Sequence, residues 1–116
     1  MTPSIELDSV EGLTVVRLTG EFDIGNVDEL RDAFAKAISA DSCNIVVDLA
    51  QTGFMDSMAL GCLIGARKRS AGWGGWVRLA GPTGVVRRAL EVTSLTSVFD
   101  IFDDVDAACG RIALDS

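Results

Sequence analysis

Asp56 and Ser57 carry the chemistry that stands out in this chain. They place a carboxylate and a hydroxyl side by side where an apolar run gives way to a helical pattern. Ile45, Val46, Val47 and Leu49 form a nearly unbroken apolar run around Asp48, the pattern of a strand covered on both faces. Ala50-Gln51-Thr52-Gly53 reads as a polar turn. After Phe54-Met55-Asp56-Ser57, Leu60, Leu63 and Ile64 recur at helical spacing as far as Arg67-Lys68-Arg69, just before Gly72. Asp56 is therefore expected at a helix N-cap, its carboxylate accepting first-turn N–H groups and facing the positive end of the helix dipole. Ser57 follows at the exit of a buried strand, where open α/β sheets place functional groups. On residue chemistry alone, the pair also reads as a plain cap and a filler.

Other chemistry is limited by what the sequence lacks. The chain contains no histidine, so the usual general base and the commonest metal ligand are missing. Neither Ser57 nor a thiol can then belong to a Ser-His-Asp or Cys-His arrangement. Cys43, Cys62 and Cys109 are odd in number and form no C-x-x-C pair, as expected of reduced thiols in the cytoplasm. Cys62 and Cys109 fall in helical patterns, where a thiol acts as a small hydrophobe, and thiol regulation through either ranks last among the readings. Gly72-x-Gly74-Gly75 is followed by a strand and by no Gly-Lys-Ser/Thr, unlike a phosphate loop. Gly61 and Gly65, four apart, point to close packing of their helix on the sheet. Asp23 and Asp56 could form an acid pair, but nothing implies a substrate for it. The expectation is a protein that is not an enzyme and needs no metal or cofactor.

At 116 residues the chain is expected to be a single domain, 1–116, large enough for one core without staples. The net charge of −7 argues against direct binding of nucleic acid. Residues 1–56 carry eleven acids and three bases, and residues 57–116 carry six acids and seven bases. That asymmetry, with Arg67, Lys68, Arg69, Arg87 and Arg88 in the second half, suits protein–protein recognition, although it also fits ordinary solvated surface. No segment approaches 18 consecutive apolar residues, and no basic-then-apolar leader opens the chain. A cytoplasmic protein without membrane insertion is expected.

The elements that must position Asp56 and Ser57 follow from periodicity. Ser4–Val10 alternates as a half-buried edge strand, Glu11-Gly12 turns, and Leu13–Thr19 is a second strand closed by Gly20-Glu21-Phe22-Asp23. Asn26 and Glu29 form a capping-box pattern before Val27, Leu30, Phe34, Ala37 and Ile38, a first helix ending near Ser39–Asp41. Beyond the central strand and second helix, Trp76–Ala80 is a strand. Gly81-Pro82-Thr83 opens a third helix bearing Val85, Val86, Ala89 and Leu90. Val98–Phe102 is a short strand, and Asp103 or Asp104 caps a last helix through Val105, Ala108, Cys109 and Ile112. The order β-β-α-β-α-β-α-β-α implies an α/β domain with a mixed, mainly parallel sheet of about five strands and flanking helices.

Three segments resemble the STAS family, the anti-sigma factor antagonists of bacterial partner-switching systems. Leu18-Thr19-Gly20-Glu21-Phe22-Asp23 resembles the family's turn after its second strand. Val47-Asp48-Leu49 with Phe54-Met55-Asp56-Ser57-x-x-Leu60-Gly61 resembles its signature loop and helix start, and Arg88–Leu95 its late helix and small-residue turn. The resemblance implies that Ser57, directly after the signature aspartate, is the phosphoacceptor. The family motif usually continues with a second hydroxyl and a glycine, where this sequence has Met58 and Ala59. By this resemblance the chain binds an anti-sigma factor with serine kinase activity; separately, the domain is expected to fold as a monomer. The kinase supplies ATP and Mg²⁺, and phosphorylation of Ser57 ends the interaction. Asp23, Asp56, Ser57, Met58 and Leu60 are the expected contact residues. The alternative, favoured by Met58 and Ala59, is a STAS scaffold that is not phosphorylated, or an accessory subunit of a transporter or signalling complex.

Overall fold

The computed structural model describes residues 2–10 and 12–110; Glu11 of the expected first turn and Ile112 of the expected last helix lie outside them. The strands are β1 (Ser4–Val10), β2 (Leu13–Phe22), β3 (Asn44–Met55), β4 (Trp76–Ala80) and β5 (Asp100–Phe102). They lie side by side in that order; β1 is antiparallel to β2 and the remaining pairs are parallel. This is the mixed, mainly parallel sheet expected from the alternation of strand and helix patterns. The helices are α1 (Val27–Ala37), α2 (Ser57–Gly72), α3 (Gly84–Val92) and α4 (Val105–Cys109), with a 3₁₀ turn at Leu95–Ser97 before β5.

Alternation along the central strands sorts the core into two layers. Val16, Leu18, Ile45, Val47, Leu49 and Leu79 face α1, α2 and α3, where Leu30, Phe34, Leu63, Val86 and Leu90 meet them. Val15, Val46 and Ala80 face the other way, onto Ala108 of the short α4. Because β3 is covered on both sides, its apolar residues run together instead of alternating with polar ones. Asp48, the acid inside that run, pairs with Arg17 of β2 (Nε to Oδ2, 3.1 Å) and accepts the Ala50 N–H at 3.0 Å.

The structure differs from the expected elements at the strand ends. Ala50–Gly53 is not a turn, and β2 does not stop at Thr19: the two strands stay paired through Thr19–Gln51, Gly20–Thr52, Glu21–Phe54 and Phe22–Met55. Two irregularities, between Arg17 and Thr19 and between Gly20 and Glu21, carry this extension. A bulge leaves backbone groups unmatched, and here a side chain makes up the loss. The fully buried Thr52 donates its hydroxyl to the Leu18 carbonyl at 2.7 Å, beside the first irregularity. Thr83, at the N-cap of α3, donates to the Thr52 carbonyl at 2.7 Å and so ties that helix to the extension. The polar residues that read as a turn are thus the fittings of an irregular strand pair.

The last strand is also shorter than expected. Val98 and Phe99 donate their N–H groups to the Leu95 carbonyl, each at 3.0 Å, which winds them into the preceding turn and delays β5 to Asp100.

Candidate functional site

The extended β2–β3 pair carries the site. Phe22 accepts the Asp56 N–H at 3.1 Å, so the chain leaves β3 still tethered to β2. Asp56 then adopts an extended backbone (φ −85°, ψ −177°) and caps α2 as expected, its Oδ1 accepting the Ala59 N–H at 2.9 Å. Its second oxygen does what sequence alone did not indicate: Oδ2 accepts the N–H of Ile24 at 3.1 Å. One carboxylate therefore fixes both the start of α2 and the loop between β2 and α1.

That loop is wound by its own side chains. Asp23 accepts the Gly25 N–H at 2.8 Å and donates its N–H to Asn26 Oδ1 at 2.9 Å, while Asn26 Nδ2 donates to the Glu21 carbonyl at 2.8 Å. The expected capping box does not form. The Asn26 side chain faces back to the strand end and makes no cap bond to α1, because the loop's carbonyl and N–H claim it first.

Ser57 is the first residue of α2 and is exposed, with Met58 beside it 44% exposed. Asp23 is exposed on the neighbouring loop. Leu60 does not join them: at 4% exposure it is part of the core and supports the helix from beneath. The sequence reading overlooked two apolar neighbours. Ile24, whose backbone N–H the Asp56 carboxylate accepts, is 74% exposed, and Phe54, two residues before Asp56, is 42% exposed. An isoleucine in an otherwise polar turn was the available signal for the first. The second needed the strand extension, which turns Phe54 outward and Met55 inward.

Between α1 and α2 runs a groove of about 400 Å³, with Ser57 and Met58 at one end, Arg69 at the other, and Arg31, Phe34 and Cys62 among its walls. It exists because Gly61 and Gly65 follow Ser57 at four-residue intervals on one helix face. A Cβ at either position would meet nothing within 4 Å, so these glycines do not serve close packing on the sheet. Arg31 is held by Asp28 one turn earlier on α1 (2.7 Å). Burial pushes the Cys62 thiol above its ordinary range; Arg31 opposes that shift, and Asp28 and Asp56 add to it. A thiol held neutral in this way is a poor nucleophile.

An anchored aspartate, an exposed serine at a helix start and the exposed side chains of Ile24, Phe54 and Met58 thus belong to neighbouring segments at the end of the β2–β3 pair. Comparison with known proteins gives the fold a family. The STAS-domain family model matches residues 4–108, and the chain belongs to this family. It is 32% identical over 105 residues to the anti-sigma F factor antagonist of Paenibacillus polymyxa, covering 90% of each chain. Among solved structures it superposes on the anti-sigma factor antagonist SpoIIAA in its unphosphorylated form with a TM-score of 0.82 at 24% identity, covering 95% of this chain and 96% of that one. It superposes on the Bacillus cell fate determinant SpoIIAA in its phosphorylated form with a TM-score of 0.74 at 22% identity, covering 94% and 99%.

Proposed function

We propose that this protein is an anti-sigma factor antagonist that binds an anti-sigma factor with serine kinase activity and loses that partner when Ser57 is phosphorylated. The double anchoring of Asp56 carries the reading. It holds the adjacent hydroxyl exposed at the start of α2, beside the apolar side chains of Ile24, Phe54 and Met58. Those side chains offer surface for a partner to bury, and Asp23 and Asp56 give the rim its charge. The name of the Paenibacillus relative and the existence of a phosphorylated SpoIIAA structure support the same reading.

In the switching step, Ser57 Oγ attacks the γ-phosphorus of ATP held with Mg²⁺ by the kinase. The Oγ–P bond forms as the bond to the departing ADP breaks, and the hydroxyl proton passes to a base of the kinase. The product carries about −1.5 to −2 charges where a neutral hydroxyl stood. Within the chain, the first-turn N–H groups of α2 tolerate an anion. At the interface that charged, solvated group must be dehydrated where a neutral hydroxyl fitted before, a mismatch that commonly costs about 2–5 kcal/mol, thirtyfold or more in affinity.

The test is a binding titration against the anti-sigma factor of the same cell, using wild type, Ser57→Ala, Ser57→Asp and the phosphorylated form, with a melting curve for each. Ser57→Ala is expected to bind constitutively. Ser57→Asp and the phosphorylated form are expected to bind weakly at near-normal stability. Equal affinity of the phosphorylated and unmodified forms would transfer the chain to the scaffold reading.

A further inference from the structure

Ser57 and Arg31 come from different helices and line the same groove, and the space between them is left open by Gly61. Resting on the reading of Ser57 as the phosphoacceptor, we propose that Arg31 is the receiver of the Ser57 phosphate, exchanging its present partner Asp28 for the new group.

The exchange follows from the charges in place. Among the described residues Arg31 is paired with Asp28, an exposed pair one turn apart on α1, with side-chain exposures of 54% and 88%. Exposed pairs of this kind are weak and readily given up. A phosphoserine offers nearly twice the charge of a carboxylate, and three oxygens that an arginine can grip through two parallel N–H bonds. The guanidinium need not cross a packed surface to reach it. Gly61 lies four residues after Ser57 on the same helix face, and a Cβ there would meet no atom within 4 Å. Arg31 already acts electrically on this part of the groove, since its charge is felt at Cys62 alongside those of Asp28 and Asp56. The charged groups at this end of the groove are thus Arg31 and Asp28 from α1 and Asp56 from the cap, all acting on Cys62, with Asp23 on the loop that Asp56 anchors. Of these, only Arg31 is a cation. Arg69 closes the far end of the groove, twelve residues along α2 from Ser57, roughly 18 Å at the helical rise. That separation exceeds the screening length of about 8 Å at physiological salt.

In consequence, modification would do more than add charge at the rim. It would draw Arg31 across the groove, partly neutralise the phosphate, and leave Asp28 unpaired on α1.

The experiment places phosphoserine at position 57 by genetic encoding in the full chain and follows the second ionisation of the phosphate by ³¹P NMR. No kinase or partner enters, so a failed partner titration and a failed receiver are separate results. A nearby guanidinium favours the dianion. Arg31→Gln should therefore raise the titration midpoint by about half a unit, roughly a threefold change in proton affinity. Arg31→Lys should restore most of the difference. Asp28→Asn, which removes the competing carboxylate, should lower the midpoint below that of the parent. Arg69→Gln should leave it in place, and melting curves should show all four variants folded. Identical midpoints for the parent and Arg31→Gln would overturn the proposal, as would an equal response to Arg69→Gln, which would indicate diffuse charge instead of a clasp.

Discussion

Asp56 accepts the backbone N–H of Ile24 at 3.1 Å, joining residues 32 apart in sequence while its other oxygen caps α2 through Ala59 at 2.9 Å. A cap alone needs one acceptor, and this site uses both. Asp56→Ala should cost about 1–2 kcal/mol, the upper part of the range for lost caps, because two N–H groups lose their acceptor. Asp56→Asn keeps a single acceptor oxygen and should fall between Asp56→Ala and wild type. Chemical denaturation of the three proteins measures this; an Asn variant as stable as wild type would mean that one of the two bonds contributes nothing.

Gly65 within α2 and Gly75 in the loop after it should answer alanine in opposite directions. At Gly65 a methyl group meets open space, so Gly65→Ala should stabilise the fold by about 1 kcal/mol through helix propensity. At Gly75 the added carbon would overlap the Cys43 carbonyl, and Gly75→Ala should destabilise by about 1–3 kcal/mol. Melting temperatures that move the same way would contradict the assignment.

Cys62 should be the slowest of the described thiols to react with a maleimide or disulfide reagent, since it is buried while Cys43 and Cys109 are half-buried. Its pH linkage has a definite sign. Burial raises the folded-state value above the ordinary 9.0, so the unfolded chain releases its proton first as the solution becomes alkaline. The contribution is complete below 9.0 and is lost as the pH climbs from there through the higher folded-state value. Cys62→Ala should flatten the alkaline fall in stability; an unchanged slope would remove the thiol from that account.

The two tryptophans should differ in quenching. Trp73 is 56% exposed, whereas Trp76 is half-buried with the Arg78 guanidinium 3.8 Å from its ring centre. Acrylamide should quench the Trp73 indole more readily in single-tryptophan variants, and Arg78→Ala should alter Trp76 emission alone.

The order and type of the elements were legible because their apolar periods are strong. The Ile45–Leu49 run and the α1 stripe of Val27, Leu30, Phe34 and Ala37 are unmistakable, and both lie in the core. The Asp56 cap was legible for the same reason. What could not be read was long-range pairing. Ala50–Gly53 has turn composition, and only the register with β2 reveals that Thr52 turns inward to serve the Leu18 carbonyl. Asn26 illustrates the same limit: its local pattern signals a cap, but the nearby Glu21 carbonyl and Asp23 N–H compete for the side chain and win. Leu60 was misplaced because a contact surface was inferred from a motif, while helical spacing already put that residue beside Leu63 and Ile64 on the core face.

The β2–β3 extension means that the site stands on a two-stranded ribbon projecting past the main sheet. The register of β4 against β3 ends at Asp48–Ala80, and beyond it Gln51, Thr52, Phe54 and Met55 have strand partners on the β2 side alone. The ribbon is held instead by side chains, since Phe22, Thr52 and Met55 are buried and Thr83 grips the Thr52 carbonyl, whereas Ile45, Val46 and Val47 are paired on both edges. Loosening any of those side-chain ties should speed amide exchange in the ribbon before it speeds exchange in the inner strand. A partner that clamps Asp56 and Ser57 would slow that exchange at a distance from the contact itself, so that the recognition surface and the local breathing of the fold report on one another.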